Sequence, residues 1–373
     1  MIYADFAATT PCRVAVADLM HQVLTKHYGN PSATGYRLGR GARGLIDTAR
    51  HQAATALAAH DDQVIFTAGA TESCNLAIIG VMQRLLRTRP RMLIASTEHP
   101  AVRASAEAVA AAGGEVVSIA VDHNGQLDYQ QLQAELDQRC ALVCTMLVNN
   151  ETGVVHDLAA ISAAAHKHGA LVLCDATQGL GRVPCTPREL GCDLLAASGH
   201  KVYGPKGVGL LWLRRGLALA PLIHGGGQER GLRSGTENVP AIAGFGLALE
   251  LLIAEARQVN ERLGAFSQEL EQGLLTGIPG LQIHGAAATR APGFSMVSVP
   301  GMARGWLAQL TQLCVSAGSS CATGQGSAVL RAMGVPAEQA DNAVRVSLGL
   351  GTSSDDVDEI VKQMVQGAQR LAR

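Results

Sequence analysis

Charge is scarce in this chain of 373 residues, and so are long apolar runs. Asp, Glu, Lys and Arg together make up 16%, against about 25% in an average soluble domain. The 30 basic and 31 acidic side chains leave a net charge of −1, so the electrostatic footprint of a nucleic-acid binder is missing. No apolar run reaches the roughly 18 residues of a membrane span, and the stretch 242–252 is interrupted by Glu250. The opening residues 1–6 lack a basic region and carry Asp5, so no secretion signal is read. The nine cysteines are odd in number and scattered, which fits a reducing compartment better than a disulfide framework. Together these absences predict a soluble, cytoplasmic protein that binds neither membrane nor nucleic acid directly.

Apolar residues, by contrast, are plentiful at 47%, enough for a large core, and general disorder is excluded. The 42 glycines exceed the average share of about 7% and suggest tight turns and close backbone approaches. With so little charge, part of the surface is expected to be covered by another subunit.

Apolar stretches at 64–67, 92–96, 115–121, 141–148, 170–174, 193–197 and 207–213 read as strands, and 72–87, 101–112, 128–139 and 158–168 as helices. Most of the strand runs are nearly continuous, as in strands buried on both faces. The alternation predicts an α/β unit with a mostly parallel, mixed sheet flanked by helices. A glycine-rich loop from 225 to 240 breaks the pattern, and a long helix follows over 241–275, expected to kink near Gly264. The remainder reads as a smaller α+β unit, with strands at 281–284, 293–299 and 344–348 and helices at 304–313, 329–333 and 354–371. The expected division is a large domain over 12–256 and a small one formed by 1–11 and 257–373.

Ligand sites in α/β sheets lie in the turns after the strands. Those turns carry Gly69-Ala70-Thr71-Glu72, Thr97-Glu98-His99, Asn149-Asn150, Asp175-Ala176-Thr177-Gln178 and Ser198-Gly199-His200-Lys201. Singly each has a structural explanation: Thr71 as a helix cap, Asp175 as another, His99 as a packed ring. Together they are complementary. A pyridoxal phosphate site needs a lysine for the Schiff base and an acid for the pyridinium nitrogen. It also needs a helix N-terminus for the phosphate and commonly a flat ring over the cofactor. Lys201, Asp175, Thr71 with Ser198, and His99 fill these four roles.

Nearly the whole chain resembles the cysteine desulfurases, in the class V branch of the aspartate-aminotransferase fold (fold type I of pyridoxal phosphate enzymes). The resemblance runs through DFAATTP at 5–11, GNPS at 29–32, FTAGATESCN at 66–75, TEHPAV at 97–102 and VNNETGV at 148–154. It continues through DATQ at 175–178, SGHKVYGPKG at 198–207, HGGGQERGLRSGTEN at 224–238, SAGSSC at 316–321 and VRVSLG at 344–349. It implies that Lys201 binds the cofactor covalently and moves the substrate Cα proton, and that Asp175 pairs with the pyridinium nitrogen. It also implies that Gln178 approaches the phenolic oxygen with Asn150 nearby, and that His99 stacks on the ring and moves protons. Thr71, Ser198 and His200 would hold phosphate, with Thr236 reaching it from the other subunit of a homodimer. Arg345, with Asn150, would bind the substrate carboxylate, a bidentate role suited to a guanidinium.

Cys321 sits in a Gly/Ser-rich segment with no core-forming neighbours, unlike Cys144 and Cys174 in their apolar strands. A thiol with an ordinary pKa near 8.5 is a few per cent thiolate at neutrality, enough for attack. The resemblance implies that Cys321 takes the sulfur of L-cysteine as a persulfide for an acceptor protein, releasing L-alanine, in iron–sulfur assembly or another sulfur-delivery route. A selenocysteine lyase or a class V aminotransferase on the same cofactor is the enzymatic alternative, and a non-catalytic scaffold of the same fold the alternative of another class. The chain departs from the family pattern where Gln325-Gly326-Ser327-Ala328 shortens the cysteine loop and where Leu350 replaces an arginine. It also ends directly after its last helix, without the extension by which housekeeping relatives engage an iron–sulfur scaffold. The Gly39-Arg40-Gly41-Ala42-Arg43-Gly44 match to GxGxxG has no strand before it and is discounted as a dinucleotide turn. Cys140 with Cys144 lacks a second ligand pair for zinc, and no metal site is expected. His166 and His168 close a helix and read as structural.

Overall fold

The computed structural model describes residues 1–300, 305–317 and 326–371. The chain begins with β1 (Ile2–Tyr3), then α1 (Val14–Lys26) and α2 (Arg37–Ala56). The alternating unit follows as β2 (Val64–Thr67), α3 (Ala70–Leu85), β3 (Arg91–Ala95), α4 (Pro100–Ala111), β4 (Glu115–Ile119), α5 (Tyr129–Glu135) and β5 (Cys140–Met146). It continues with α6 (Leu158–Lys167), β6 (Leu171–Asp175), α7 (Pro187–Leu190), β7 (Leu194–Ser198) and β8 (Gly209–Leu213). These seven strands form one sheet in the order β2-β8-β7-β6-β5-β3-β4. Only β8 runs against its neighbours, so the carboxyl ends of the other six share one edge.

The apolar strand runs fold as expected of a sheet covered twice. Every residue of β5 is buried. Successive strand residues alternate between two cores. Leu93, Val143, Val172 and Leu195 join the core under α2, α6 and α8, whereas Ile94, Leu142, Leu173 and Leu194 join the one under α3 and α4. This is the period of two that a pleated strand imposes.

The rest of the chain supplies α8 (Val239–Gly277), β9 (Gln282–Ile283), β10 (Phe294–Ser298), α9 (Trp306–Gln309), β11 (Leu313–Cys314), α10 (Ala328–Ala332), α11 (Ala337–Asp341), β12 (Val344–Ser347) and α12 (Ser354–Leu371). A three-stranded sheet in the order β12-β10-β9 and a two-stranded parallel pair of β1 with β11 lie here. Helix α12 starts behind a reciprocal cap, with Ser353 N–H donating to Asp356 and Asp356 N–H to Ser353 Oγ. It buries Val357, Ile360, Met364 and Ala368, one stripe at helical spacing.

Three expectations fail here. The long helix does not kink at Gly264: α8 is continuous over 39 residues, because a single glycine weakens a helix by only about 1 kcal/mol. The helix expected at 304–313 is cut to α9, since Leu313 and Cys314 pair with Ile2 and Tyr3 instead. The helix expected at 128–139 stops at Glu135. Helix α8 also contains an 18-residue window with a mean hydropathy of 1.7, apolar enough by composition to cross a membrane. Half of that window is buried inside the protein, and α8 packs on α1, α2 and α12, as a core helix does.

Candidate active site

The five turns singled out in the sequence follow β2, β3, β5, β6 and β7 and converge on one cavity of about 720 Å³ at the common carboxyl edge. Thr71, His99, Asn150, Asp175, Gln178, Ser198, His200, Lys201 and Arg345 all line it. Thr236 does not, and is exposed on the surface. Cys321 lies outside the described residues.

At the β2 end, glycine decides the geometry. Gly69 takes φ +156°, and a Cβ on Gly209 would lie 2.6 Å from the Gly69 Cα. Two residues without side chains therefore let the turn into α3 sit against the sheet. The first turn of α3 carries the unpaired N–H groups of any helix start, and their partial positive charge attracts an anion. Ser198 is buried beside it, and Lys206 and His200 add donors on the same wall. Burial, with Lys201 and then Lys206 adding to it, pushes the His200 imidazole down to about 4. His200 is thus neutral near pH 7, and its Nδ1 meets Thr9 Oγ1 at 3.1 Å.

Asp175 ends β6, nearly buried, with Oδ1 accepting the Thr177 N–H at 3.0 Å. Lys201 Nζ donates to the carbonyls of Ala7 and Ala8 at 2.5 and 2.7 Å, and Gln178 Nε2 donates to the same Ala7 carbonyl at 2.8 Å. His99 caps α4: the Ala101 N–H donates to Nδ1 at 3.1 Å, which leaves the ring proton on Nε2. Burial lowers the His99 pKa, Asp175 opposes that shift, and Lys201 and Arg103 reinforce it. Arg345, from β12, is 1% exposed and donates to the Asn150 carbonyl at 2.7 Å and to Asp5 Oδ1 at 2.6 Å.

These groups fit pyridoxal phosphate. The cavity holds a buried carboxylate for a cationic ring nitrogen, a primary amine on the adjacent strand end, and a helix N-terminus for the phosphate. Thr177 Oγ1, on its wall, is buried without a partner among the described residues, a polar atom waiting for a ligand.

Sequence reasoning missed several groups of this cavity. Residues Ala7, Ala8 and Thr9 line it, and Asp5 holds Arg345. The quoted run at 5–11 was the available signal. Lys206 also lay inside a quoted segment without a role, as did Glu98, which lines a smaller chamber behind this cavity. The discounted features have structural places. Gly39 to Gly44 lie inside α2, and His166 Nε2 meets Asp193 at 2.9 Å.

A doubly covered, mostly parallel sheet with these residues at its carboxyl edge defines a pyridoxal-phosphate-dependent enzyme. The chain belongs to the aminotransferase class-V family, whose model matches residues 2–360. It is 38% identical to "Cysteine desulfurase IscS" of Anaeromyxobacter sp. (strain Fw109-5), over 99% of this chain and 93% of that one. Among solved structures, a "NIFS-LIKE PROTEIN" superposes with a TM-score of 0.93 at 31% identity, covering 99% of this chain and 100% of that one. "SspA in complex with cysteine" gives 0.83 at 30% identity, covering 94% and 99%. The resemblance read from the sequence is thereby borne out.

Proposed function

We propose that this protein is a cysteine desulfurase that converts L-cysteine to L-alanine and passes the sulfur to Cys321 for delivery to an acceptor protein. The observation that carries this reading is that Asp175, which ends β6, and Lys201, which follows the adjacent strand β7, line one cavity, in a chain whose relatives bear that name.

Bound pyridoxal phosphate would supply an electron sink that makes the substrate Cα–H acidic and the Cβ–S bond labile. Asp175 would hold a proton on the ring nitrogen, Thr71, Ser198 and His200 would bind phosphate, and Gln178 and Asn150 the phenolic side. Lys201 would anchor the cofactor and move the Cα proton. His99, neutral with its proton on Nε2, can stack and donate. Arg345 would take the substrate carboxylate. The thiolate of Cys321 attacks the substrate sulfur; a new S–S bond forms as Cβ–S breaks, and the electron pair left on carbon takes a proton to give the methyl group of alanine. Cys321 is left as a persulfide.

A homodimer completes this reading. The loop bearing Thr236 is fixed to its own chain by Arg233–Glu72 at 2.9 Å and Arg50–Glu229 at 2.6 Å, yet Thr236 faces outward, which suits contact with the partner's phosphate. The same reading keeps the domain division near 256: along α8, Leu252 packs in the large core and Leu263 in the small one. All eight described cysteines are free thiols, which favours a cytoplasmic setting, and iron–sulfur assembly is the sulfur route we favour.

Borohydride reduction of the loaded protein followed by peptide mapping tests the cofactor assignment. The label is expected on Lys201 alone and absent from Lys201→Ala. A label on another lysine, or none, would overturn it.

A further inference from the structure

Glu98, between Thr97 and the ring of His99, is a buried acid for which the mechanism above has no use. Its side chain does the work of a missing strand. The β3–β5 pairing ends at Ile94 with Cys144, whereas β5 continues to Met146 opposite Asp175. The Met146 N–H would lack an acceptor on that side, and it donates to Glu98 Oε1 at 2.6 Å. Glu98 thereby fixes the distance between two strand ends, one leading to His99 and the other lying beside Asp175.

Its second oxygen is different. Oε2 is buried without a partner among the described residues, and so are Ser96 Oγ and Thr97 Oγ1. All three side chains line a chamber of about 20 Å³ behind the main cavity, with His99, Arg103, Asn150 and Glu151, space enough for one water. Asp175 on β6 and the thiols of Cys74 on α3 and Cys144 on β5 also act on Glu98 or feel its charge. Among the described residues, the one cation that acts on Glu98 is Arg103, and no ion pair joins the two there. A second buried anion beside Asp175, lacking a counter-ion, would be expensive. A protonated Oε2 is instead a donor facing hydroxyls that can accept.

We propose that Glu98 is a positioning residue that acts as a neutral carboxylic acid. Its Oε1 holds the end of β5 where a neighbouring strand is missing, and its protonated Oε2 donates into the polar chamber behind His99. The negative charge at this edge is left to Asp175. Burial first, and then Asp175, push the Glu98 carboxyl up to about 8, against the lowering effects of the Met146 N–H and Arg103, which supports this form near neutrality.

The inference rests on the cofactor reading above, and its test separates the two. Infrared difference spectra of wild type minus Glu98→Gln, at pH 7, are expected to show the C=O stretch of a protonated carboxyl that fades as the pH passes about 8. A carboxylate band at pH 7 would overturn the proposal. The dissociation constant and visible band of pyridoxal phosphate are measured on the same samples. Glu98→Gln accepts from Met146 and donates to the chamber as the neutral acid does, so its constant should stay within about threefold of wild type. Glu98→Ala should raise it about tenfold and shift the band. Equal losses in both variants would mean that an anion is required, and no loss in either that Glu98 positions nothing. Should Glu98→Ala fail to fold, the spectra and Glu98→Gln still decide. If wild type itself binds no cofactor, the cofactor reading fails while the infrared result still stands on its own.

Discussion

Asp5 Oδ1 accepts from Nη2 of Arg345 at 2.6 Å, joining the segment after β1 to β12 across 340 residues and fixing the guanidinium at the cavity wall. Arg345 also reaches the Asn150 carbonyl, at 2.7 Å, while its Nε–H has no partner among the described residues. Lysine keeps the charge but loses the planar fork. Arg345→Lys is therefore expected to raise KM for L-cysteine about 10–100-fold, the worth of a charge-assisted bond of about 1.5–3 kcal/mol. The visible spectrum of the bound cofactor should not change. Steady-state kinetics with a parallel spectrum check this, and an unchanged KM would remove Arg345 from the substrate site.

Asp175 pairs with no cation of the chain in the described structure, and its Oδ1 is held by the Thr177 N–H at 3.0 Å. Asp175→Asn can preserve that contact but not the negative charge. Loss of one preorganised electrostatic contact reduces kcat by about 10²–10³-fold, and that loss is expected here with cofactor still bound. Single-turnover measurements at saturating cysteine would show it.

Glu229 is buried and accepts three hydrogen bonds: two from the Arg50 guanidinium, at 2.6 and 2.9 Å, and one from the Phe66 N–H at 2.9 Å. Removing one partner of a buried ion pair leaves the other charge uncompensated, at about 3–5 kcal/mol. Glu229→Ala should lower the urea midpoint accordingly. Because the same loop carries Thr236, the homodimer proposed above should weaken as well; sedimentation reads that effect separately from unfolding.

Stability should fall with acid for a definite reason. His156 is fully buried, its ring nitrogens have no partner among the described residues, and burial, countered by Asp122, pushes its pKa down to about 4. The unfolded chain takes up the proton near 6.5. Above that pH both states are neutral and stability is complete; between about 6.5 and 4 only the unfolded state is protonated, so stability declines as the pH falls. His200 and His284, both also near 4, add to the slope. His156→Leu should reduce that slope by about one proton in melting curves across the window, with no loss of stability at pH 7.

How far the fold could be read beforehand depended on where the stabilising contacts lay. Strand β2 and helix α12 were expected at their observed limits, and the other strands of the large sheet within about three residues, because continuous apolar runs and a helical stripe are local signals. The helix α2 escaped notice, since its Gly39, Gly41 and Gly44 suggest a loop. Gly39 is explained by how the chain enters the helix: a Cβ there would lie 2.0 Å from the Ala33 carbonyl oxygen. The pairing of Leu313 with Ile2 is non-local, and it overrode the local helical pattern. At the site, residues that end strands were legible because the turns hold them. The partners from the first ten residues were not, because Ala7 meets Lys201 across 194 positions.

The most direct test of the account is alanine formed from L-cysteine, with pyridoxal phosphate and a thiol reductant, by wild type and by Cys321→Ala. The account predicts steady alanine production by wild type and its collapse in the variant, with cofactor binding unchanged in both. Equal turnover by the two proteins would contradict it, for sulfur would then leave the substrate without Cys321.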